Sequence, residues 1–234
     1  MSGDDRRPRA LVTGGSSGIG AAVVAALAAD GWSVLAVGRD LGRLDAVAAA
    51  AGGDVVPVVA DLADDADLVR LADRVGPAPL DALVHAAGVI ALAPVADVEP
   101  ADLDAQWRVN LRAPFLLTRA LLPALRAAPG DVVFVNSGAG LRANAGWSGY
   151  AASKFGLRAL ADALRAEERT HGVRVTSVYP GRTDTPMQRQ VFAAEARRYD
   201  PSGLVPPEAV AAHVLAALAT ARPACVPDVE VRPV

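Results

Sequence analysis

The strongest constraint on this chain's fold is a repeating pair of signals: a short unbroken apolar run, then a longer stretch of helical spacing. Val132-Val133-Phe134-Val135 is the plainest run. A strand with one wet face alternates apolar and polar residues, whereas an unbroken run marks a strand buried on both faces. Strands are expected at Arg9–Thr13, Ser33–Val37, Val55–Val59, Leu80–His85, Asp131–Val135 and Val173–Val178, with a possible last one at Ala224–Val226. Helices are expected at Ala21–Asp30, Asp40–Ala51, Asp64–Arg74, Trp147–Arg169 and Glu208–Ala219, with one long helical segment from Ala101 to Leu125. Strand and helix in alternation bury both sheet faces as an α/β, doubly wound parallel sheet, Rossmann-like, of about seven strands with helices on both faces. No linker or internal repeat interrupts the pattern, so residues 1–234 are expected to form a single domain.

Composition narrows the partners. The chain is 52% hydrophobic but only 4% aromatic, so its core must be largely Ala, Val and Leu. A formal net charge of -3 gives no reason to expect nucleic acid, whose binding rests on Lys and Arg neutralising phosphates. Residues 1–8 are charged, lack the apolar centre of a signal peptide and are expected to be disordered. The longest uncharged apolar stretch, Ala82–Ala96, contains Gly88 and Pro94 and is shorter than the roughly 20 residues a bilayer span needs. The expectation is a cytoplasmic protein whose partners are small molecules and copies of itself, with no membrane contact. The one cysteine, Cys225, excludes an intrachain disulfide and is expected to be a buried bystander. With three scattered histidines beside it, no metal site is expected.

One compositional oddity concerns chemistry. Of 23 basic residues, Lys154 alone is a lysine. Arginine can replace any lysine that is needed only for its charge, but not one whose task requires a compact ammonium on a slim stem.

In open parallel sheets ligands sit beyond the carboxyl ends of the strands, so the residues after each strand carry the functional signal. After the first strand comes Thr13-Gly14-Gly15-Ser16-Ser17-Gly18-Ile19-Gly20. Glycines let the backbone turn tightly and approach a pyrophosphate, and the following helix offers free N–H groups and the positive end of its dipole. At the end of the second strand, Gly38-Arg39 precedes Asp40, with Arg43 one helical turn on. An acidic residue there selects NAD through the ribose 2′-hydroxyl, whereas a guanidinium suits the 2′-phosphate of NADP. The alternative for Arg39 is a solvated arginine salt-bridged to Asp40.

Tyr150-Ala151-Ala152-Ser153-Lys154 carries the strongest catalytic signal. Residues four apart share one helix face, so phenol and ammonium address the same small volume. A nearby lysine cation is expected to lower the phenol's ordinary pKa of about 10 toward a useful range for general acid–base work. With three tyrosines, only three of 234 positions lie four residues after one, so chance poorly explains where the single lysine falls. Ser137 follows the fifth strand, where its hydroxyl could meet developing negative charge on a substrate oxygen.

Together these motifs resemble the short-chain dehydrogenase/reductase family: T-G-x-x-x-G-x-G at Thr13–Gly20, serine at 137, and Y-x-x-x-K at Tyr150–Lys154. The resemblance spans about Arg9 to Thr185. It implies an NADP-dependent oxidoreductase that interconverts a carbonyl and an alcohol, with NADP(H) favoured over NAD(H). It assigns catalysis to Asn110, Ser137, Tyr150 and Lys154, Asn110 holding a water beside the lysine. It assigns cofactor binding to Gly14, Ser16, Ser17, Gly18, Ile19, Gly20, Arg39, Asp61, Leu62, Ala87, Gly88, Tyr150, Lys154, Pro180, Gly181, Thr183 and Thr185. Asp61 would lie near the adenine, although it could equally be an N-cap of the next helix. Pro180-Gly181-Arg182-Thr183-Asp184-Thr185 would border the nicotinamide. The family commonly carries N-N-A-G after the fourth strand, whereas this chain has His85-Ala86-Ala87-Gly88, with His85 expected as a structural substitute.

The substrate pocket is expected along Gly88–Val95, Leu141–Trp147 and a lid at 187–206. Met187, Phe192 and Trp147 point to an apolar substrate, and Arg189, Arg197 and Arg198 to a solvated helix face or an acidic carrier. Homodimers or homotetramers are expected, Leu157, Leu160 and Leu164 supplying part of an interface unless they pack on the sheet. The alternative function is a non-catalytic dinucleotide-binding redox sensor or scaffold.

Overall fold

The computed structural model describes residues 6–234. Its strands are β1 (Arg9–Thr13), β2 (Ser33–Gly38), β3 (Asp54–Val59), β4 (Ala82–His85), β5 (Asp131–Val135), β6 (Arg174–Pro180) and β7 (Asp228–Val231). They form one sheet in the order β3-β2-β1-β4-β5-β6-β7, with every pair parallel. The helices are α1 (Gly18–Ala29), α2 (Leu41–Ala51), α3 (Asp65–Val75), α4 (Pro100–Trp107), α5 (Ala113–Ala127), α6 (Ser148–Glu168), α7 (Pro186–Ala194) and α8 (Pro207–Ala219). The doubly wound α/β sheet read from the sequence is the fold. Of the stretch 1–8, residues 1–5 lie outside those described. Arg6 pairs with Asp81 at 2.6 Å, and the Pro8 carbonyl accepts from the Ser33 N–H.

Successive strand residues point to opposite faces, and each face builds its own core. Leu11, Leu83 and Phe134 join Leu71 of α3, Leu117 and Leu121 of α5, and Leu157 of α6. Ala10, Val12, Val34 and Val84 join Val24 and Leu27 of α1, Leu44 of α2, and Val210 and Val214 of α8. Fully burying a leucine or valine side chain contributes about 1.5–3 kcal/mol, so a core with few aromatics suffices.

Three local readings change. The long helical segment 101–125 is interrupted by a π turn at Arg108–Arg112, between α4 and α5. Pro114 has no N–H to donate to the Asn110 carbonyl four residues back, and its ring crowds that carbonyl; the widened turn accommodates both. The last strand is Asp228–Val231 rather than Ala224–Val226. The Ala224 and Val226 carbonyls accept from the side chains of Arg174 and Thr176, and the ladder starts only where Ser177 N–H donates to the Pro227 carbonyl. Cys225 is exposed, not buried.

The α6 leucines also resolve. Leu157 and Leu164 are buried in the sheet-facing core with Leu160 packed against them, so this stripe holds the helix to its own sheet. The exposed large apolar side chains of this region are instead Leu103, Trp107, Phe115 and Phe155.

Candidate active site

The chain leaves β1 for β2 and β3 on one side of the sheet and returns to β4 on the other. The crevice opened by that reversal lies at the carboxyl ends of β1 and β4. There the two loops are pressed together. Thr13 Oγ1 accepts from the Ala86 and Ala87 N–H groups at 3.2 and 3.3 Å, and a Cβ on Gly14 (φ +71°) would stand 2.7 Å from Ala87 N. A Cβ on Gly20 would lie far inside van der Waals contact distance of the Gly14 carbonyl oxygen. Only glycine lets this turn close so tightly, and α1 begins at Gly18 with no side chain capping its first N–H groups. Uncapped N–H donors and the dipole's positive end make a cradle for an anion, which fits the diphosphate of a dinucleotide.

The end of β2 fits the same ligand. Arg39 is exposed and pairs with no carboxylate among the described residues. Asp40 caps α2 by accepting from the Arg43 N–H at 3.1 Å, and its carboxylate lies 3.4 Å from Arg43, so the Arg39–Asp40 bridge does not form. A Cβ at Gly38 would sit 3.0 Å from Ser16 Oγ, so an aspartate there would crowd the glycine turn. Asp61 is not the N-cap of α3; Asp64 is, accepting from the Ala66 N–H at 2.9 Å. Asp61 accepts from the Ala63 N–H, and Leu62 is buried against the core.

A cleft of about 470 Å³ opens beside the crevice. Of the residues assigned from sequence, Ile19, Ala87, Gly88, Ser137, Tyr150, Lys154, Pro180, Gly181, Thr183 and Thr185 line it. Gly14, Ser16, Ser17, Gly18, Gly20, Arg39, Asp61 and Leu62 lie outside its wall, along the turns after β1, β2 and β3.

Tyr150 and Lys154 stand one turn apart on α6 and are both nearly buried, with Lys154 Nζ 5.8 Å from the phenol ring centre. Lys154 Nζ donates to the Val135 carbonyl at 3.1 Å. Ser137, in extended backbone after β5, accepts from the Ala139 N–H at 3.1 Å. Burial pushes the Tyr150 phenol up to about 12, partly offset by its hydrogen bond with Ser137. Burial likewise brings Lys154 down to about 8. The sequence-based expectation that lysine would lower the phenol's pKa is therefore outweighed here by desolvation, which disfavours both charged forms. Near neutrality the phenol keeps its proton, as a general acid requires.

Asn110 lies behind Gly88 rather than in the cleft wall. It is fully buried in the π turn: its Oδ1 accepts from the Val89 N–H at 2.8 Å, and its Nδ2 donates to the Val89 carbonyl and to Ser153 Oγ. Its side chain thus ties the loop after β4 to α6. His85 stacks on Phe134 with ring centres 5.1 Å apart and meets Thr118 Oγ1 at 2.8 Å. Burial holds it near 3, a neutral structural imidazole.

The substrate side departs from expectation. Trp147 and Met187 line the cleft, but Phe192 is buried under Tyr199 and Arg182 instead. Arg189 lies over the Tyr199 ring at 4.1 Å and Arg197 pairs with Glu195 at 3.2 Å, so both are engaged within the segment. Sequence reading did not single out Arg142, Gln188 or Arg232, all in the cleft wall. A signal for Gln188 was available: Thr185-Pro186 is a cap followed by an N1 proline, which announces α7.

Residues 8–196 match the family described as short chain dehydrogenase. The chain is 36% identical over 207 residues to an uncharacterised short-chain type dehydrogenase/reductase of Sinorhizobium fredii, covering 86% of this chain and 82% of that one. It is 37% identical over 183 residues to the L-xylulose reductase of Mus musculus, covering 77% and 74%. A short chain dehydrogenase from Burkholderia cenocepacia, solved in complex with NADP, superposes with a TM-score of 0.84 at 33% identity, covering 96% of each chain. The glycine turn, the Tyr150–Lys154 helix and these likenesses place the chain in the short-chain dehydrogenase/reductase family of oxidoreductases.

Proposed function

We propose that this oxidoreductase uses NADP(H) to interconvert a carbonyl and a secondary alcohol, with Tyr150 as general acid and base. The observation that carries the proposal is a buried phenol hydrogen-bonded with Ser137 and one helical turn from the chain's single lysine, itself buried. When bound, the nicotinamide supplies or accepts the hydride. Gly14, Ser16, Ser17, Gly18, Ile19 and Gly20 would hold the diphosphate, and Arg39 the 2′-phosphate. Asp61 and Leu62 would border the adenine. Ala87, Gly88, Pro180, Gly181, Thr183 and Thr185 would fix the nicotinamide end. Ser137 would donate to the substrate oxygen, and Tyr150 would pass its proton there during reduction. Lys154 would hold positive charge beside the phenol, and the π turn at Asn110 would hold a water that relays the proton from the lysine. The mouse relative, named for L-xylulose reduction, supports a carbonyl substrate, and the NADP complex of the Burkholderia relative supports the cofactor.

Residues 187–206 would act as the lid. Their return is pinned where Thr183 bridges Val205 in parallel and Asp184 N–H donates to the Val205 carbonyl at 2.9 Å. Copies of the chain would associate through the exposed Leu103, Trp107, Phe115 and Phe155 of α4, α5 and α6.

The test is steady-state oxidation of NADPH and NADH against a panel of ketones and aldehydes. NADPH should be preferred, and Arg39→Ala should cut kcat/KM for NADPH about tenfold or more while barely touching NADH, one charge-assisted phosphate contact being worth about 1.5–3 kcal/mol. Equal effects on both cofactors would remove Arg39 from 2′-phosphate recognition.

A further inference from the structure

The cleft's charge is one-sided. Among the described residues four basic side chains line it, Arg142, Lys154, Arg182 and Arg232, and no aspartate or glutamate does, although acids outnumber bases 26 to 23 in the chain. Lys154 serves the phenol, and Arg182 is paired with Glu195. Arg142, on the loop after β5, pairs with no carboxylate among the described residues. Arg232, just past β7, is held by one edge. Its Nε and Nη2 donate to Glu230 Oε2 at 3.1 and 2.7 Å, leaving Nη1 directed at the Gly138 turn beside Ser137. A Cβ at Gly138 would stand 3.1 Å from that Nη1, so the glycine leaves the approach clear. Gln188 adds a third donor: it is 7% exposed, lines the cleft, and its Nε2 has no partner among the described residues.

The cofactor does not account for this charge. Its diphosphate cradle follows β1, whereas Arg142 follows β5 and the Arg232 guanidinium stands at the Gly138 turn that also follows β5, two strands away, about 10 Å at roughly 4.8 Å per strand. From this arrangement we infer that the substrate is a carbonyl compound bearing an anionic carboxylate or phosphate group, which Arg142 and Arg232 grip while Ser137 and Tyr150 address the carbonyl. A guanidinium presents a planar fork matched to both oxyanions, and a buried amide without a partner becomes satisfied by the same group. The inference rests on the oxidoreductase reading above and names its substrate class.

The experiment compares matched pairs differing in one anionic group: acetoacetate and its methyl ester, 4-carboxybenzaldehyde and its methyl ester, dihydroxyacetone phosphate and dihydroxyacetone. With NADPH, kcat/KM for the anionic member should exceed that for its neutral partner by about tenfold or more, mainly through KM, the scale of one charge-assisted contact. The carboxylate and phosphate arms identify which anion is taken. Arg142→Gln and Arg232→Gln should each pull the ratio toward one, while Arg119→Gln, an exposed arginine of α5 outside the cleft, leaves it in place. Three results overturn the inference: pairs that react equally, a preference that survives both substitutions, or variants whose loss lies in NADPH affinity. If neutral members turn over with no anionic preference, the inference falls and the oxidoreductase reading stands. If NADPH binds but no member reacts, both fall.

Discussion

His85 illustrates how one residue can be structural and still leave a measurable trace. Its folded pKa of about 3 lies below the ordinary 6.5, so the unfolded chain binds a proton that the native state refuses. Where the unfolded state binds more protons, stability rises with pH; the His85 contribution is therefore intact above about 6.5 and is lost as pH falls toward 3. Between pH 6.5 and 4.5 this single group should remove about 2 kcal/mol. Urea unfolding of the parent and of His85→Gln at both pH values isolates the effect, since carboxylate contributions cancel between them. Parallel pH slopes for the two proteins would show that His85 is solvated or charged in the native state. Among single residues, Tyr150 and Lys154 were legible because one is a type with few copies and the other has a single copy. Arg142 fell within the stretch Leu141–Trp147 expected to line the pocket, but neither it nor Arg232 stood out along the sequence from the other arginines. Only the folding of β5 and β7 toward one cleft sets them apart.

At the level of elements, the glycine turn between β1 and α1 leaves less room for a Cβ, at Gly20, than any other described glycine position. Gly20→Ala would drive a methyl group into the Gly14 carbonyl, and backbone rather than a flexible side chain would have to move. The expected outcome is loss of NADPH binding, together with about 1–3 kcal/mol of stability, the usual cost of overpacking. Calorimetric titration and thermal melts report the two separately, and a Gly20→Ala variant that binds NADPH as the parent does would remove the turn from the cofactor site. The turn was readable because its glycines are dictated by geometry. The interruption of helix 101–125 was not read, although Pro114 announces it: helical periodicity runs straight through one widened turn. The final strand was misplaced because Ala224-Cys225-Val226 has a strand's composition, while side chains of β6 take the carbonyls it would offer to a ladder. The leucine stripe on α6 had two possible destinations, its own sheet or a second copy. A stripe alone does not choose between them; the packing does.

For the whole molecule, the parallel sheet gathers loops from distant parts of the sequence at one edge, so residues from 14 to 232 meet around two adjoining depressions. The outer surface bears on assembly. Trp107, Phe115 and Phe155 are each more than two-fifths exposed on α4, α5 and α6, and large exposed aromatics of this kind mark contact surfaces. Light scattering should find a homo-oligomer, and Trp107→Glu should shift it toward monomer by placing a charge in the contact; a parent protein that is monomeric at high micromolar concentration would contradict this. Acid–base catalysis by Tyr150 is checked by comparing NADPH binding and carbonyl reduction in the parent and in Tyr150→Phe. NADPH affinity should stay close to the parent's while kcat falls about 100-fold or more, the usual scale of a lost general acid. A Tyr150→Phe variant that turns over like the parent, or a parent that binds NADPH tightly and reduces nothing, would contradict it and favour a dinucleotide-binding sensor.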